Sequence, residues 1–318
     1  MTVVAVSILN HGGASATLEC LRSLLKQRPD SSRPFRLEIF LVDNGSGEAE
    51  QHRLQEALPH APNLHLDLSA KNLGFAAGHN RNLRTIRNTV APDFVWLLNN
   101  DCVAQPDCVA RLLECATESP QIALWGATLL EPGGKKVQCA GGCRYNAWIS
   151  SFRQIGSGAP IEHIDEIRHS RMDYVAGASL FLPTQHIDAA FEPVPRQKRG
   201  RGRTDTGFLN ETFFLYFEEL DLARRLKKSA YGMGWCRDAR IVHSGGLATG
   251  ATGASRSARA EYHATLSALK FTRIYHPYRL WVMMPARFAA KCVQLGLTGH
   301  SRHLRSLWHA YRDFLAGT

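Results

Sequence analysis

The chain has 318 residues, of which 44% are hydrophobic, and this is enough apolar material for one large core or two modest ones. Its formal net charge of +10 suits phosphates, nucleic acid or anionic lipid equally well, so charge alone does not choose a partner. None of the eight cysteines forms a C-x-x-C pair, which excludes a zinc ribbon and a thioredoxin-type site, and free thiols without a signal peptide predict a reducing, cytoplasmic setting.

The first 120 residues alternate apolar strands with amphipathic helices. Strands are predicted at 3–9, 37–47, 65–70 and 94–101, and helices at 16–27 and 105–119. Such alternation indicates an α/β fold with a parallel sheet. In a sheet of that kind, ligands bind beyond the carboxyl ends of the strands.

Polar side chains follow each of these four strands. They are Asn10, Asp43, Asn44, Asn72, Asn99, Asn100 and Asp101. Asn and Asp also favour turns, which would explain any one of these residues taken singly. Because the carboxyl ends of parallel strands meet at one edge of a sheet, four such ends indicate a shared polar site.

Beyond residue 120, further strands are predicted at 122–130, 174–183 and 213–217, some of them antiparallel, and the stretch 237–246 ends the globular part. We therefore predict a globular domain at 1–250 and a basic, amphipathic helical region at 251–318. No stretch there approaches the ~20 apolar residues that a membrane-spanning helix needs. These helices either lie on an anionic membrane surface or pack on the domain with a solvated basic face.

The run from Phe213 to Asp221 is the most unusual local feature, because five apolar residues lead directly into Glu218 and Glu219. The apolar residues predict a buried strand. The acids have two interpretations. They begin a helix, whose dipole favours acids in the first turn, or they supply a catalytic base beside a charged substrate.

Seven ordered blocks carry a family resemblance and cover most of residues 3–246. They are "VSILNHGGASATLECLRSL", "LVDNGSG", "NLGFAAGHNRNLR", "FVWLLNND", "YVAGASLFL", "FFLYFEELDLARR" and "IVHSGG". In this order they resemble the inverting glycosyltransferases of family 2, and most closely the bacterial rhamnosyltransferase-like enzymes that build O-antigen or cell-wall glycan. The resemblance implies a GT-A fold, with a mostly parallel central sheet flanked by helices.

The resemblance also implies a nucleotide-diphosphate sugar donor and a divalent cation, Mg²⁺ or Mn²⁺, which offsets the charge of the leaving diphosphate. The metal-binding D-x-D region of the family corresponds here to Asn99-Asn100-Asp101, so Asp101 is the one carboxylate of the triplet. By the same resemblance His243, in "IVHSGG", is the second protein ligand.

Donor binding is implied at eight positions. They are Asn10, Asp43, Asn72, Gly74, Gly78, Asn80, Asn100 and Asp101. Asp43 resembles the residue that accepts hydrogen bonds from the nucleobase. Gly74 and Gly78 would let the backbone approach the diphosphate and the ribose. Asn82 departs from the pattern, because relatives usually have glycine there.

The candidate catalytic residues are Glu219, Glu218 and Asp221. In the family an acidic pair follows an aromatic strand, and its second member, here Glu219, would deprotonate the acceptor hydroxyl. Relatives usually have Asp at that position, so the backbone here must lie slightly further back to suit the longer side chain. Glu218 and Asp221 would support the base, Asp221 by pairing with Arg224 or Arg225.

The activity that the resemblance implies is transfer of a sugar, with dTDP-rhamnose first among donors, to a glycan or lipid-linked acceptor in bacterial cell-surface polysaccharide synthesis. Residues 176–178 would line the acceptor side, and the basic loop 196–203 would close over it. One alternative is a nucleotide-sugar-binding protein impaired in catalysis, motivated by Asn99 and Glu219. Another is a nucleic-acid-binding protein, but the basic clusters lack a recognisable motif and interleaved aromatic residues, so no nucleic acid partner is predicted.

Overall fold

The computed structural model describes residues 1–29, 33–168, 171–190, 207–245 and 257–317, and the structural statements below concern these residues. The basic loop at 196–203 and the predicted domain boundary at residue 250 both lie outside the described residues.

Strands and helices alternate along the first half of the chain, and helices dominate its end. The strands are β1 (Thr2–Asn10), β2 (Phe35–Asn44), β3 (Leu64–Ser69), β4 (Phe94–Asn99), β5 (Cys102–Ala104), β6 (Ile122–Leu130), β7 (Val137–Ala140), β8 (Gly142–Asn146), β9 (Ser151–Gln154), β10 (Tyr174–Val175), β11 (Ser179–Pro183) and β12 (Gly232–His243). The helices are α1 (Ala14–Leu25), α2 (Glu48–Ala57), α3 (Phe75–Thr89), α4 (Cys108–Glu118), α5 (Gln185–Ala190), α6 (Glu218–Lys228), α7 (Ala258–Tyr275), α8 (Leu280–Leu297) and α9 (Leu304–Ala316).

A nine-stranded sheet forms the centre of the molecule. Its strand order is β3-β2-β1-β4-β11-β6-β12-β5, and β7 pairs with β6. The first four strands are parallel, whereas β11 runs antiparallel to both β4 and β6, and β12 is parallel to β6 and antiparallel to β5. A smaller sheet has the order β10-β8-β9. The prediction of a mainly parallel sheet with antiparallel members is confirmed.

Helices cover both faces of the central sheet. In β1, Val4, Val6 and Ile8 point into one core and Ala5 points into the other, because successive side chains of a strand alternate between faces. A strand that is buried on both faces has a continuous apolar sequence, which is why the sequence pattern alone predicted β1, β2 and β4.

Two predicted strands differ in the structure. Residues 213–217 form an irregular turn and not a strand, and α6 begins directly after them at Glu218. The predicted strand at 174–183 divides into β10 and β11, which belong to different sheets. The break at 176–178 leaves three small residues between the sheets, so this segment passes from one sheet to the other.

The helix α7 packs in the main core although the sequence assigned it to a separate C-terminal region. Ala268 and Phe271 belong to the same apolar cluster as β1 and β4. The hydroxyl of Ser267 donates to the Leu215 carbonyl at 2.9 Å, and the Tyr275 hydroxyl donates to Asp221 at 2.7 Å. The predicted region at 251–318 is therefore not one separate unit, because α7 is part of the body that contains the sheet.

The helices α8 and α9 form a third apolar cluster with the outer side of α7. Leu269, Met283, Leu307, Tyr311 and Phe314 are its buried members. Among the described residues, no helix is long and apolar enough to cross a membrane.

Asp221 joins three elements around α6. Its carboxylate is fully buried and accepts hydrogen bonds from Arg225 at 2.8 Å, Asn210 at 3.1 Å and Tyr275 at 2.7 Å. Arg225 is itself buried, so the two charges compensate each other away from water.

Replacement of Asp221 by alanine should lower the free energy of unfolding by about 3–5 kcal/mol, because it removes the carboxylate that compensates the buried Arg225 charge. Urea denaturation measures this loss. The control is Asp107→Ala, which removes an exposed ion pair with Arg111 and should change stability by about 0–1 kcal/mol. Equal losses in the two variants would contradict an anchoring role for Asp221.

Candidate active site

A cavity of about 580 Å³ opens beyond the carboxyl ends of β1 and β4. The N-terminus of α3 and the residues 99–101 after β4 form its inner wall. The β8–β9 hairpin, the segment 214–220 and the first turn of α7 complete it. Its position agrees with the edge at which ligands bind to parallel sheets.

Asp101 and His243 meet at the floor of this cavity. β12 pairs antiparallel with β5 so that His243 stands opposite Cys102, the residue after Asp101. As a result, His243 Nε2 lies 3.2 Å from Asp101 Oδ1. Both side chains are largely buried, yet both border the cavity.

Gln138 determines which nitrogen of His243 carries a proton. Its side-chain amide donates to the His243 carbonyl at 3.2 Å, which leaves its Oε1 2.7 Å from His243 Nδ1. That oxygen is an acceptor, so Nδ1 must be the protonated nitrogen. Nε2 then presents a lone pair, to which Asn99 Nδ2 approaches within 3.4 Å.

The Asp101–His243 contact therefore places two acceptors side by side, which is unfavourable unless a positive charge lies between them. Either a proton or a metal cation supplies that charge. Asp101, Cys102 and His243 hold their ligand atoms within 4.8 Å of one another. Cys102 is an unsuitable ligand, because burial and the nearby Asp101 charge raise the pKa of its thiol well above its usual range. The pair of oxygen and nitrogen donors fits a divalent cation.

Glu218 and Glu219 line the opposite part of the cavity. Burial raises the pKa of Glu219 to about 7. Burial, and then repulsion by Glu219, raises the pKa of Glu218 well above its usual range. Within the described residues, Glu218 Oε2 is buried with no hydrogen-bond partner. The acids thus begin a helix, as the first interpretation predicts, and also border the cavity, while their catalytic role stays a prediction.

The backbone before these acids is strained. Tyr216 and Phe217 have φ values of 67° and 76°, in the left-handed region that side chains disfavour. Such residues cost about 1–3 kcal/mol each and persist where the surroundings hold them. Here two left-handed residues turn the chain sharply into α6 and direct Glu218 and Glu219 toward the cavity.

Comparison with known proteins identifies the first part of the chain. Residues 3–137 match the profile described as Glycosyl transferase family 2. This part of the chain, somewhat less than half of it, is similar to family 2 glycosyltransferases.

Two curated proteins resemble this chain over longer stretches. It is 24% identical over 259 residues to the N-acetylglucosaminyl-diphospho-decaprenol L-rhamnosyltransferase of Mycobacterium tuberculosis, covering 74% of this chain and 73% of that protein. It is 23% identical over 207 residues to the Low-salt glycan biosynthesis hexosyltransferase Agl10 of Haloferax volcanii, covering 65% of this chain and 59% of that protein. The expected resemblance to a rhamnosyltransferase is confirmed.

The solved structure titled "Crystal structure of GalNAc-T7 with UDP, GalNAc and Mn2+" matches with a TM-score of 0.55 at 11% identity. The match covers 84% of this chain and 47% of that one, so this chain spans about half of that protein's length. The likeness shows the fold, and the GT-A prediction is confirmed.

Four of the predicted donor-binding residues border the cavity. They are Asn72, Gly74, Asn100 and Asp101. Asn100 donates to the Thr17 hydroxyl at 2.9 Å, and the Asn72 side chain accepts from Gly74 N at 2.8 Å. Gly74 has a φ of 85°, and a Cβ there would lie 2.4 Å from the Phe214 carbonyl oxygen, so glycine is required at the start of α3.

The other four predicted donor-binding residues do not line this cavity. They are Asn10, Asp43, Gly78 and Asn80. Gly78 packs against Leu9, and Asn80 holds the backbone of Leu209 at 2.8 and 2.9 Å. Both positions serve packing of α3 in this structure, and their contact with the donor stays a prediction.

Asp43 is fully buried, and its carboxylate accepts four hydrogen bonds from Asn10, Gln51 and Ser46. Burial opposes its ionisation, but these bonds outweigh burial and lower the pKa of Asp43. A hydrogen bond from Asp43 to a nucleobase would require one of these partners to move. Its role in donor binding stays a prediction.

Asp221, predicted to support the base, lies in the first turn of α6 and outside the cavity lining. Its predicted pairing with an arginine is present, and the partner is Arg225. This geometry agrees with a positioning role, and the place of Asp221 in the catalytic set stays a prediction.

Sequence reasoning missed two residues of the site. Gln138 lies on β7, more than a hundred residues from His243, and no local motif marks it. Arg259 begins α7 and lines the cavity beside Phe214, 5.8 Å from the ring centre. The excess of basic residues in the last part of the chain was the available signal for Arg259, but it does not say which cation reaches the site.

Replacement of Gln138 by leucine should lower the affinity for Mn²⁺, measured with nucleoside diphosphate present, by about 10–100-fold, because His243 loses the acceptor that orients its ring. Isothermal titration calorimetry measures the change. Gln154→Leu is the matched control, since Gln154 lines the same cavity on β9. If both variants bind Mn²⁺ as the parent does, His243 is not a metal ligand.

Proposed function

We propose that this chain is a metal-dependent, inverting glycosyltransferase that moves a sugar from a nucleotide-diphosphate donor to a hydroxyl of a glycan or lipid-linked acceptor. The observation that carries the proposal is that one cavity holds both the Asp101–His243 pair and the acids Glu218 and Glu219. Family membership supports the activity, and the two sets of side chains support the mechanism.

The donor diphosphate is proposed to lie against the Asp101–His243 pair and the N-terminus of α3. A cation on this pair, Mg²⁺ or Mn²⁺, would neutralise charge on the departing diphosphate. The dipole of α3 favours an anion at the same place. Arg259 provides a further positive charge on the cavity wall.

Glu219 is proposed to be the general base. Burial raises its pKa to about 7. A base with a pKa near the working pH combines adequate basicity with a sufficient ionised fraction. Burial and repulsion by Glu219 also raise the pKa of Glu218, which opposes ionisation of both acids at once. When protonated, Glu218 can donate a hydrogen bond to a substrate oxygen.

Transfer then proceeds in one displacement. Glu219 takes the proton of the acceptor hydroxyl, and the oxygen attacks the anomeric carbon. The bond from that carbon to the diphosphate oxygen breaks, and its electron pair leaves with the nucleoside diphosphate. A single attack from the opposite side inverts the configuration at the anomeric carbon.

The acceptor is proposed to enter beside residues 176–178. A Cβ on Gly177 would lie 3.5 Å from Glu219 Oε1, so only a small residue leaves room for a hydroxyl group there. The name of the mycobacterial relative supports rhamnose as the sugar and a lipid-linked diphosphate sugar as the acceptor. With dTDP-rhamnose as donor, the proposed setting is cell-surface polysaccharide synthesis at the cytoplasmic side of the membrane.

Replacement of Glu219 by glutamine should lower the rate of transfer by about 10²–10⁴-fold, because the amide cannot accept the proton. Binding of nucleoside diphosphate with Mn²⁺ should survive, since those contacts lie elsewhere in the cavity. Product formation from dTDP-rhamnose and calorimetry measure the two effects. If Glu218→Gln removes transfer while Glu219→Gln does not, the roles of the two acids are reversed.

The rate of transfer should depend on pH in a defined direction. The base acts when ionised, so kcat/KM should fall about tenfold for each pH unit below the raised pKa of about 7 and level off above it. Glu219→Gln should remove this acid limb from its residual activity. A rate that is flat between pH 5 and 7 would exclude Glu219 as the base.

A further inference from the structure

The helix α8 exposes its apolar side to solvent. With the preceding Tyr278, the exposed side chains form a stripe at helical spacing, called here the outer face of α8. Its members are Tyr278, Trp281, Val282, Pro285, Ala289, Val293 and Leu297. Trp281 and Leu297 are 86% and 84% exposed. Within Tyr278–Leu297, all of which is described, the stripe contains no charged residue.

The charged residues of α8 point the other way. Arg287 is 7% exposed and donates to the Ser150 carbonyl at 2.6 Å. Lys291 pairs with the buried Glu261 at 3.0 Å. In α8 the cations are therefore inside and the apolar residues outside. Contiguous apolar patches of this kind mark a surface that contacts another apolar medium.

Side chains typical of a membrane–water interface surround the outer face. α9 packs beside α8 through Tyr311, whose hydroxyl donates to the Met284 carbonyl at 2.8 Å. On the solvent side of α9, Trp308 and Leu315 are 60% and 72% exposed. The exposed Arg302, Arg305 and Arg312 lie on that side too. Trp and Arg are the residues that settle at lipid headgroups, and the cations are complementary to anionic lipid.

The apolar surface continues to the mouth of the cavity. Arg279 lies over the ring of Trp148 at 4.5 Å and, with the Arg287–Ser150 bond, joins the start of α8 to the β8–β9 hairpin. Trp148 and Ile149 are exposed at the hairpin tip. Phe152 on the same hairpin is 42% exposed and lines the cavity. A path of apolar side chains thus leads from the outer face to the site.

We propose that the outer face of α8, with the arginines of α9, seats the protein on the surface of a bilayer that contains anionic lipid. The helix lies in the interface and does not span it, because one apolar face plus several cations gives reversible surface binding. Building on the proposed function, this seating would bring the cavity to the headgroup level, where the hydroxyl of a lipid-linked acceptor is presented.

The test uses the full chain and vesicles of equal parts phosphatidylglycerol and phosphatidylcholine at low salt. Val282→Glu/Leu297→Glu should weaken co-sedimentation by about tenfold or more, because two carboxylates are placed on the lipid-facing side. Leu25→Glu/Leu68→Glu is the matched control: it adds the same charge at exposed apolar positions elsewhere and should bind as the parent does. Thermal unfolding of both variants should match the parent, which separates binding from folding.

Two further measurements complete the test. Arg302→Gln/Arg305→Gln should reduce binding to anionic vesicles and its dependence on salt, while weak binding to pure phosphatidylcholine stays unchanged. Sugar transfer to a short water-soluble acceptor should be equal in Val282→Glu/Leu297→Glu and the parent. A parent that transfers no sugar would count against the proposed function, whereas vesicle binding tests the membrane proposal. Equal vesicle binding by both glutamate variants overturns the proposal. The proposal is also overturned if the parent does not bind vesicles but forms a dimer, and only Val282→Glu/Leu297→Glu disrupts that dimer.

Discussion

The contact between His243 and Asp101 depends on a second neighbour, β5, that β12 gains near its end. The cavity is built around this contact. β12 first runs parallel to β6, and its register shifts between Cys236 and Arg240. Beyond this irregularity the strand also pairs antiparallel with β5, which sets His243 opposite Cys102. A bulge bends a strand and re-aims its side chains. Without this bulge, the imidazole of His243 would not reach the carboxylate of Asp101, which follows β4.

The cavity concentrates groups whose charges depend on burial. At one side an imidazole nitrogen and a carboxylate oxygen stand 3.2 Å apart, and a positive charge is required between them. At the other side burial raises the pKa values of two adjacent carboxyl groups, Glu218 and Glu219, and opposes ionisation of both. The low polarity of the cavity therefore favours a cation between Asp101 and His243, and it makes Glu219 a proton acceptor of moderate strength.

Aromatic packing holds the strained turn that presents the acids. The ring of Phe217 lies 5.4 Å from Phe271 of α7 and 6.0 Å from Tyr145 of β8. Aromatic pairs contribute about 0.5–1.5 kcal/mol beyond their buried area, which is comparable with the cost of a left-handed residue. α7 thus holds α6 through the hydrogen bond from Tyr275 to Asp221, and it holds the turn at 213–217 through the contact of Phe271 with Phe217. The next helix, α8, turns its apolar side outward.

The sequence by itself determined the class of the fold and the family. Apolar runs of strand length alternating with amphipathic helices are local features, so β1, β2, β4 and β6 could be predicted from periodicity. Asp101, Glu218, Glu219 and His243 could be named because each lies in a short block of family type. Only the tertiary structure decided how these residues are used. The irregular turn at 213–217 overrides the local strand preference, since packing on α7 and β8 decides its backbone. Gln138 and Arg259 reach the site through strand pairing and helix packing far along the chain, and neither leaves a local signal. The direction in which α8 faces was undetermined for the same reason: periodicity shows that a helix has two sides, but only its neighbours decide which side is buried.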